Sequence, residues 1–224
     1  KVISNGYKLG ERFLKIIFDN ALHFSVEEIY VTLFDETLGQ KRLANLLGDW
    51  GFEEHGFKET DNGKEVVLVR DFRPSVDNSN PCYSYPYINM DTQKFIVPIY
   101  PAYHTELFPD SILNTESSDN FVESKPNRNA ISKVYISRSY ERDLSPGDII
   151  VFYRTKEPGK LAIYTSETTT IGLVQRVITN IESEEKFVEL CRKRSVFTDD
   201  ELRKHWNYRR NNRPFVVNFL YVYS

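Results

Sequence analysis

Two stretches of this sequence carry residue types and spacings that chemistry can use. The first spans residues 4–10, where Asn5, Gly6, Lys8, Leu9 and Gly10 form a glycine-containing turn that opens a helix. Such a turn aims unpaired backbone N–H groups and the positive helix end at one point, which suits a phosphate. The Lys8 ammonium would add to those donors. A plain helix start is the competing reading, because glycines before helices are common. The second stretch is basic. Between residues 192 and 213, Arg192, Lys193, Arg194, Arg203, Lys204, Arg209, Arg210 and Arg213 stand against Asp199, Asp200 and Glu201, eight cations to three anions. Trp206 and Tyr208 are interleaved, as on a surface that neutralises phosphates and stacks bases. Arg138 and Arg142, beside Tyr140, would extend it. The candidate nucleic-acid residues are therefore Arg138, Arg194, Arg203, Trp206, Arg209, Arg210 and Arg213, with a solvated helix face and an inward-packed Trp206 as the alternative.

Other constellations fail. His104 and Glu106 have the spacing of a zinc deaminase motif, but the cysteine pair that must follow is missing. His23, His55, His104 and His205 share no metal-ligand spacing, so no metal site is expected. Cys82 and Cys191 fit no paired-cysteine motif and point to a reducing, cytoplasmic setting. Cys191 reads as core, on one helix face with Phe187 and Leu190. The aromatic segment 100–109 has no assignable chemistry; packing the preceding linker onto the second module is the role expected of it.

Positioning these residues requires two modules. Leu9, Phe13, Ile16, Ile17, Ala21 and Phe24 recur at helical spacing over 9–24. Residues 28–34 form a short apolar run, as in a strand buried on both faces. A helix with Leu43, Leu46, Leu47 and Trp50 on one face follows, stopped by Gly51. Residues 52–60 and 64–71 flank Asn62 and Gly63, a hairpin signal. The order helix, strand, helix, hairpin leaves the strand short of neighbours, so a preceding segment or a partner chain is expected to complete the sheet. Residues 73–93 read as a linker, with Pro74, Pro81 and Pro86 among polar residues and an aromatic stretch that should lie against a surface. Beyond it, strands are expected at 94–100, 131–136, 148–154, 160–165, 170–178 and 214–222, with helices at 184–193 and after Thr198. Thr198 and Glu201 have capping-box spacing. The fold class is α+β, the second module being a small, partly closed barrel.

Residues 1–72 resemble the C-terminal half of a GNAT-type acetyltransferase domain. The resemblance rests on the turn at 5–10, the strand at 28–34, the helix ending in Trp50, Gly51 and Phe52, and the final hairpin. It implies a partial α/β sandwich, acetyl-CoA as cofactor, and its pyrophosphate on the backbone of the turn at Lys8, Leu9 and Gly10. Asn5 stands where the family has Arg or Gln, and Lys8 stands at its first glycine. Leu47 occupies the position of the tyrosine that often protonates the departing thiolate, and leucine cannot be a general acid. No catalytic residue is therefore assigned, and this segment alone should be inactive. Residues 94–224 look like the PUA-like superfamily with its ASCH and EVE members, through 130–139, the Pro146, Gly147 and Asp148 turn leading into 149–153, and Gly172 in a later strand. That resemblance implies binding of RNA or another nucleic acid. The combined expectation is an acyl-CoA-dependent N-acetyltransferase region fused to a nucleic-acid module. A non-catalytic reader, with the first module as scaffold, is the alternative.

Composition sets the limits. A net charge of −3 excludes a uniformly basic nucleic-acid binder but allows local basic patches. With 40% hydrophobic and 27% charged residues, wholesale disorder is excluded. No run reaches the ~18–20 apolar residues of a membrane span.

Overall fold

The structure is a computed structural model that describes residues 6–109, 111, 125–156 and 167–223. The first module comprises α1 (Leu9–His23), β1 (Glu28–Leu33), α2 (Leu38–Asp49), β2 (Glu53–Thr60) and β3 (Gly63–Asp71). Its antiparallel sheet runs β1-β3-β2. Gly63 takes the positive φ (124°) that the hairpin turn demands, and Gly51 (φ 81°) stops α2. At the other end of α2, Thr37 and Gln40 form a capping box.

Two expectations for this module change. β1 is not buried on both faces: among the described residues it pairs only with β3, and Tyr30 is 70% exposed. The buried face of α1 is Glu11, Leu14, Phe18 and Ala21, while Phe13, Ile16, Ile17 and Phe24 are exposed. The helix is apolar on two faces. The rest of the chain covers the one carrying Phe18, which helical spacing alone does not select.

Residues 73–93 are no free spacer. They contain the short helix α3 (Pro81–Ser84), and Tyr85 is fully buried between Phe18 and Trp50. The Tyr85 hydroxyl donates to the Tyr221 carbonyl at 2.8 Å. Buried Arg70 donates through Nη2 to the carbonyls of Tyr83 and Tyr85 and lies over the Phe18 ring at 4.3 Å. Burial pulls its pKa down to about 10, so it remains a cation at neutral pH.

The second module contains β4 (Lys94–Ile99), α4 (Pro101–Leu107), α5 (Pro126–Asn129), β5 (Ser132–Ser137), β6 (Ile149–Arg154), β7 (Glu167–Ile178), α6 (Glu184–Cys191), α7 (Asp199–Asn207) and β8 (Phe215–Tyr223). The strand expected at 160–165 lies outside the described residues. β4 runs parallel to β6, and the other pairings are antiparallel, in the order β4-β6-β7-β8-β5. Among the described residues this sheet is open, not a closed barrel: β4 and β5 are its edges and do not pair. The α+β class holds. In the turn before β6, the Asp148 N–H donates to the Ser145 carbonyl, and Gly147 has φ 89° with the Asn78 side chain where a Cβ would stand.

The hydrophobic core crosses from one module to the other. Leu14, Phe18, Trp50, Phe52 and Phe72 share a cluster with Tyr85 and with Ile131, Leu173, Leu220 and Val222 of the second module. A second cluster packs on the second module's sheet around Phe108, Phe152 and Phe219, and a third joins α6 and α7 to Val134 and Val216. No described helix is long and apolar enough to cross a membrane.

Candidate functional site

The basic segment divides into residues that hold the fold and residues that face a cleft. Arg194 belongs to the first group. It donates to both carboxylate oxygens of buried Glu11, at 3.0 and 3.2 Å, and to the Ser132 carbonyl, which ties α1 to β5. Glu11 also accepts from the N–H groups of Ile131 (3.0 Å) and Ser132 (3.2 Å). Burial pushes its pKa up, but Arg194, Lys8 and the backbone donors outweigh burial and hold it below the usual carboxylate range. Arg203 pairs with Asp200 (3.1 Å) on its own helix and with Glu184 of α6 (3.6 Å). Trp206 is 7% exposed and packs on Phe187 with ring centroids 5.4 Å apart. Arg213 covers the outer face of that indole at 4.5 Å and donates to the Trp206 carbonyl. Arg194 and Trp206 are thus committed to packing, and Arg203 to surface ion pairs. For Trp206 the cause is helical spacing: it lies four residues from fully buried Leu202, on the inward stripe of α7.

The remaining candidates converge at the end of β5. Asn212 donates to the Arg138 carbonyl at 3.1 Å, and Arg142 donates to the Asn212 side chain at 3.2 Å. These bonds fold residues 209–213 back beside Arg138. Arg138 and Arg209 each lie 5.6 Å from the ring of Tyr208, which is 72% exposed. Arg142, Arg210 and Arg213 line an adjoining surface hollow of about 500 Å³.

Beside this cluster is a cleft of about 350 Å³ lined by Tyr103, Arg138, Phe197, Lys204, His205 and Tyr208. Tyr103 meets Phe197 edge-on at 5.0 Å, and Phe197 meets the His205 ring at 4.4 Å. Burial and then Arg138 push the His205 pKa down, so its imidazole is neutral at pH 7 and serves as a third aromatic wall. The Arg138 Nε and Nη2 atoms are buried and have no hydrogen-bond partner. Burial, followed by the repulsion of Arg209, pulls its pKa down as well. Glu201, the carboxylate at the rim, is occupied: it accepts from the Thr198 N–H and hydroxyl at 2.8 and 2.9 Å. The cleft therefore offers aromatic faces, unused guanidinium donors and two flanking cations. Tyr103, Phe197 and His205 were not among the expected site residues. The available signal was the density of aromatics in 100–109, which carried no pattern tying it to a segment about ninety residues later.

At the other candidate site, Asn5 lies outside the described residues. Gly6 (φ 96°) and Lys8 (φ 58°) both adopt left-handed backbone, and the side chain of Lys8, the N-cap residue, makes no capping bond to α1. Leu9 and Gly10 form that first turn. Gly10 is also a packing residue, since a Cβ there would meet Leu46 at 2.5 Å. Lys8 sits 3.4 Å from Glu11 and lines a polar hollow between the modules. Leu47 is buried at 3% exposure.

His104 is fully buried and shares a hydrogen bond with the Thr169 hydroxyl at 2.6 Å; it belongs to the interior, not to a site. Burial pushes the Cys82 and Cys191 thiols up to about 11 and about 12, so neither is a ready nucleophile. Among the described residues no group of three His, Cys, Asp or Glu side chains is placed to hold a metal ion. No family model, curated protein or solved structure matches the chain.

Proposed function

We propose that this chain binds single-stranded nucleic acid through its PUA-like second module, with a base in the cleft between α4 and α7 and the strand's phosphates on Arg142, Arg209, Arg210 and Arg213. The observation that carries this reading is Arg138: two of its nitrogens are buried without a partner beside three aromatic walls. Buried donors left unpaired are costly, and a base edge or phosphate would satisfy them. Exposed Tyr208, with two guanidiniums near its ring, supplies a stacking face for a neighbouring base. The test is titration of a labelled single-stranded RNA against Arg138→Ala and Tyr208→Ala. Each should weaken binding by roughly 1–3 kcal/mol, the usual worth of one base contact. Arg203→Ala, whose side chain is tied to Asp200 and Glu184, should leave binding unchanged. Equal affinity for all three would dismiss the cleft.

A second reading concerns the first module, and the left-handed turn at Gly6 and Lys8 that opens α1 favours it. On the GNAT-like resemblance, Gly6, Lys8, Leu9 and Gly10 cradle the pyrophosphate of an acyl-CoA. The open edge of β1 and the exposed Phe13, Ile16 and Ile17 are then the face that the rest of such a domain, or a partner chain, would cover. With leucine at position 47, the described residues supply no thiolate acid there. Calorimetry with acetyl-CoA on a protein of intact fold checks the reading; no heat would remove it.

A further inference from the structure

The polar hollow between the modules holds about 580 Å³ and is walled by the start of α1, the end of α2, residues 79–83 and strands β5, β7 and β8. Its polarity is divided. Its lining includes the first turn of α1 with Lys8 and the exposed Arg176 of β7, all of which call for an anion. It also includes Asp49 and the side-chain oxygen of Asn218, which call for N–H donors. Asn218 is only 7% exposed, and its Oδ1 is buried without a partner. A buried acceptor left unpaired in the middle of a strand is unfavourable unless something fills it. The β7–β8 register places Arg176 directly opposite Asn218, next to an irregularity between Val174 and Arg176 that turns the strand at this point. Glu11 also lines the hollow, but its charge is neutralised by Arg194.

We propose that this hollow is an adenine-nucleotide site shared by both modules. The phosphate lies on the start of α1 with Lys8 and Arg176, and the amino edge of the base is held by Asn218 and Asp49. A bare polyanion fits less well, because Asp49 and the Asn218 oxygen would face it. The inference deepens the acyl-CoA reading, which uses the same helix start, by assigning the nucleotide end of that cofactor to residues of the second module.

Calorimetry with ADP and, separately, with acetyl-CoA tests it on the whole chain and on Arg176→Ala and Asn218→Leu. Both variants should weaken ADP and acetyl-CoA at least tenfold, and Asn218→Leu should keep or raise the denaturation midpoint, since it removes an unpaired buried oxygen. A lowered midpoint for Asn218→Leu leaves the decision to Arg176→Ala, whose side chain is exposed. Acetyl-CoA that binds with no dependence on Arg176 or Asn218 would overturn the shared site and leave the cofactor reading standing. ADP that binds with that dependence while acetyl-CoA does not bind would remove the cofactor reading and support the nucleotide site. Absence of heat with either ligand would reject both.

Discussion

Glu11 meets Arg194 where the two modules join, and its surroundings decide what that pair is worth. The carboxylate is buried and takes four hydrogen bonds, two from Arg194 and two from backbone N–H groups. Breaking a buried pair by removing one partner leaves the other charge stranded, at a cost of about 3–5 kcal/mol. The Arg194 side chain keeps 24% of its surface in solvent, so the lower end applies. Glu11→Ala should therefore lower unfolding free energy by about 3 kcal/mol in urea titrations, and Arg203→Ala by under about 1 kcal/mol. His104 gives a pH signature. Burial, then the nearby Arg154, pulls its pKa from 6.5 down to about 4. Protonation is thus harder in the folded chain than in the unfolded one. The neutral imidazole's contribution is complete above pH 6.5 and declines as pH falls toward 4. Denaturation midpoints measured from pH 7 to 4.5 should drop for the native chain, and His104→Gln should flatten that slope.

At the scale of elements, α7 separates stability from binding within three residues. Trp206 and Leu202 face the interior, and Tyr208, just past the helix end, faces solvent. Trp206→Ala should cost about 3–5 kcal/mol of stability by opening a cavity against Phe187, whereas Tyr208→Ala should leave the midpoint within about 0.5 kcal/mol. Circular-dichroism melts distinguish the two. This division also shows what the sequence discloses and what it hides. Thr198 and Glu201 announce the start of α7 because a capping box is local chemistry, and Asn62 with Gly63 announces its hairpin for the same reason. The face of α1 was not legible: apolar residues occur on two sides, and only the tertiary partner selects Leu14 and Phe18 over Phe13 and Ile17. β1 reads as a central strand because it is a nearly continuous apolar run, yet pairing depends on which strands are at hand. The cleft was half legible. Arg138 and Arg209 stand out by charge and aromatic context, but Tyr103 and Phe197 enter through long-range packing that no spacing encodes.

For the whole molecule, the shared core is the consequential feature. Phe18, Trp50 and Tyr85 pack in one cluster with Ile131 and Leu220, so melting of the first sheet strips the covering from one face of the second, which keeps two further clusters of its own. The chain has two tryptophans, Trp50 in the first module and Trp206 in the second. Single-tryptophan variants, Trp206→Phe and Trp50→Phe, should give coincident fluorescence unfolding curves, the mark of one cooperative transition. Separate midpoints would mean that the modules melt independently. The same rigidity fixes the cleft and the hollow between the modules relative to each other, at opposite ends of β5: Ser132 lines the hollow and Arg138 the cleft. The central claim is that the chain holds single-stranded nucleic acid at the Arg138 end. The most direct measurement is the salt dependence of RNA affinity for the native chain and for an Arg209→Ala, Arg210→Ala, Arg213→Ala variant. Removing one phosphate-neutralising cation should flatten the log–log slope by about 0.7 for a single strand. A slope flattened by about 2 for the triple variant is the predicted result; an identical slope and affinity, with the fold intact, would contradict the account.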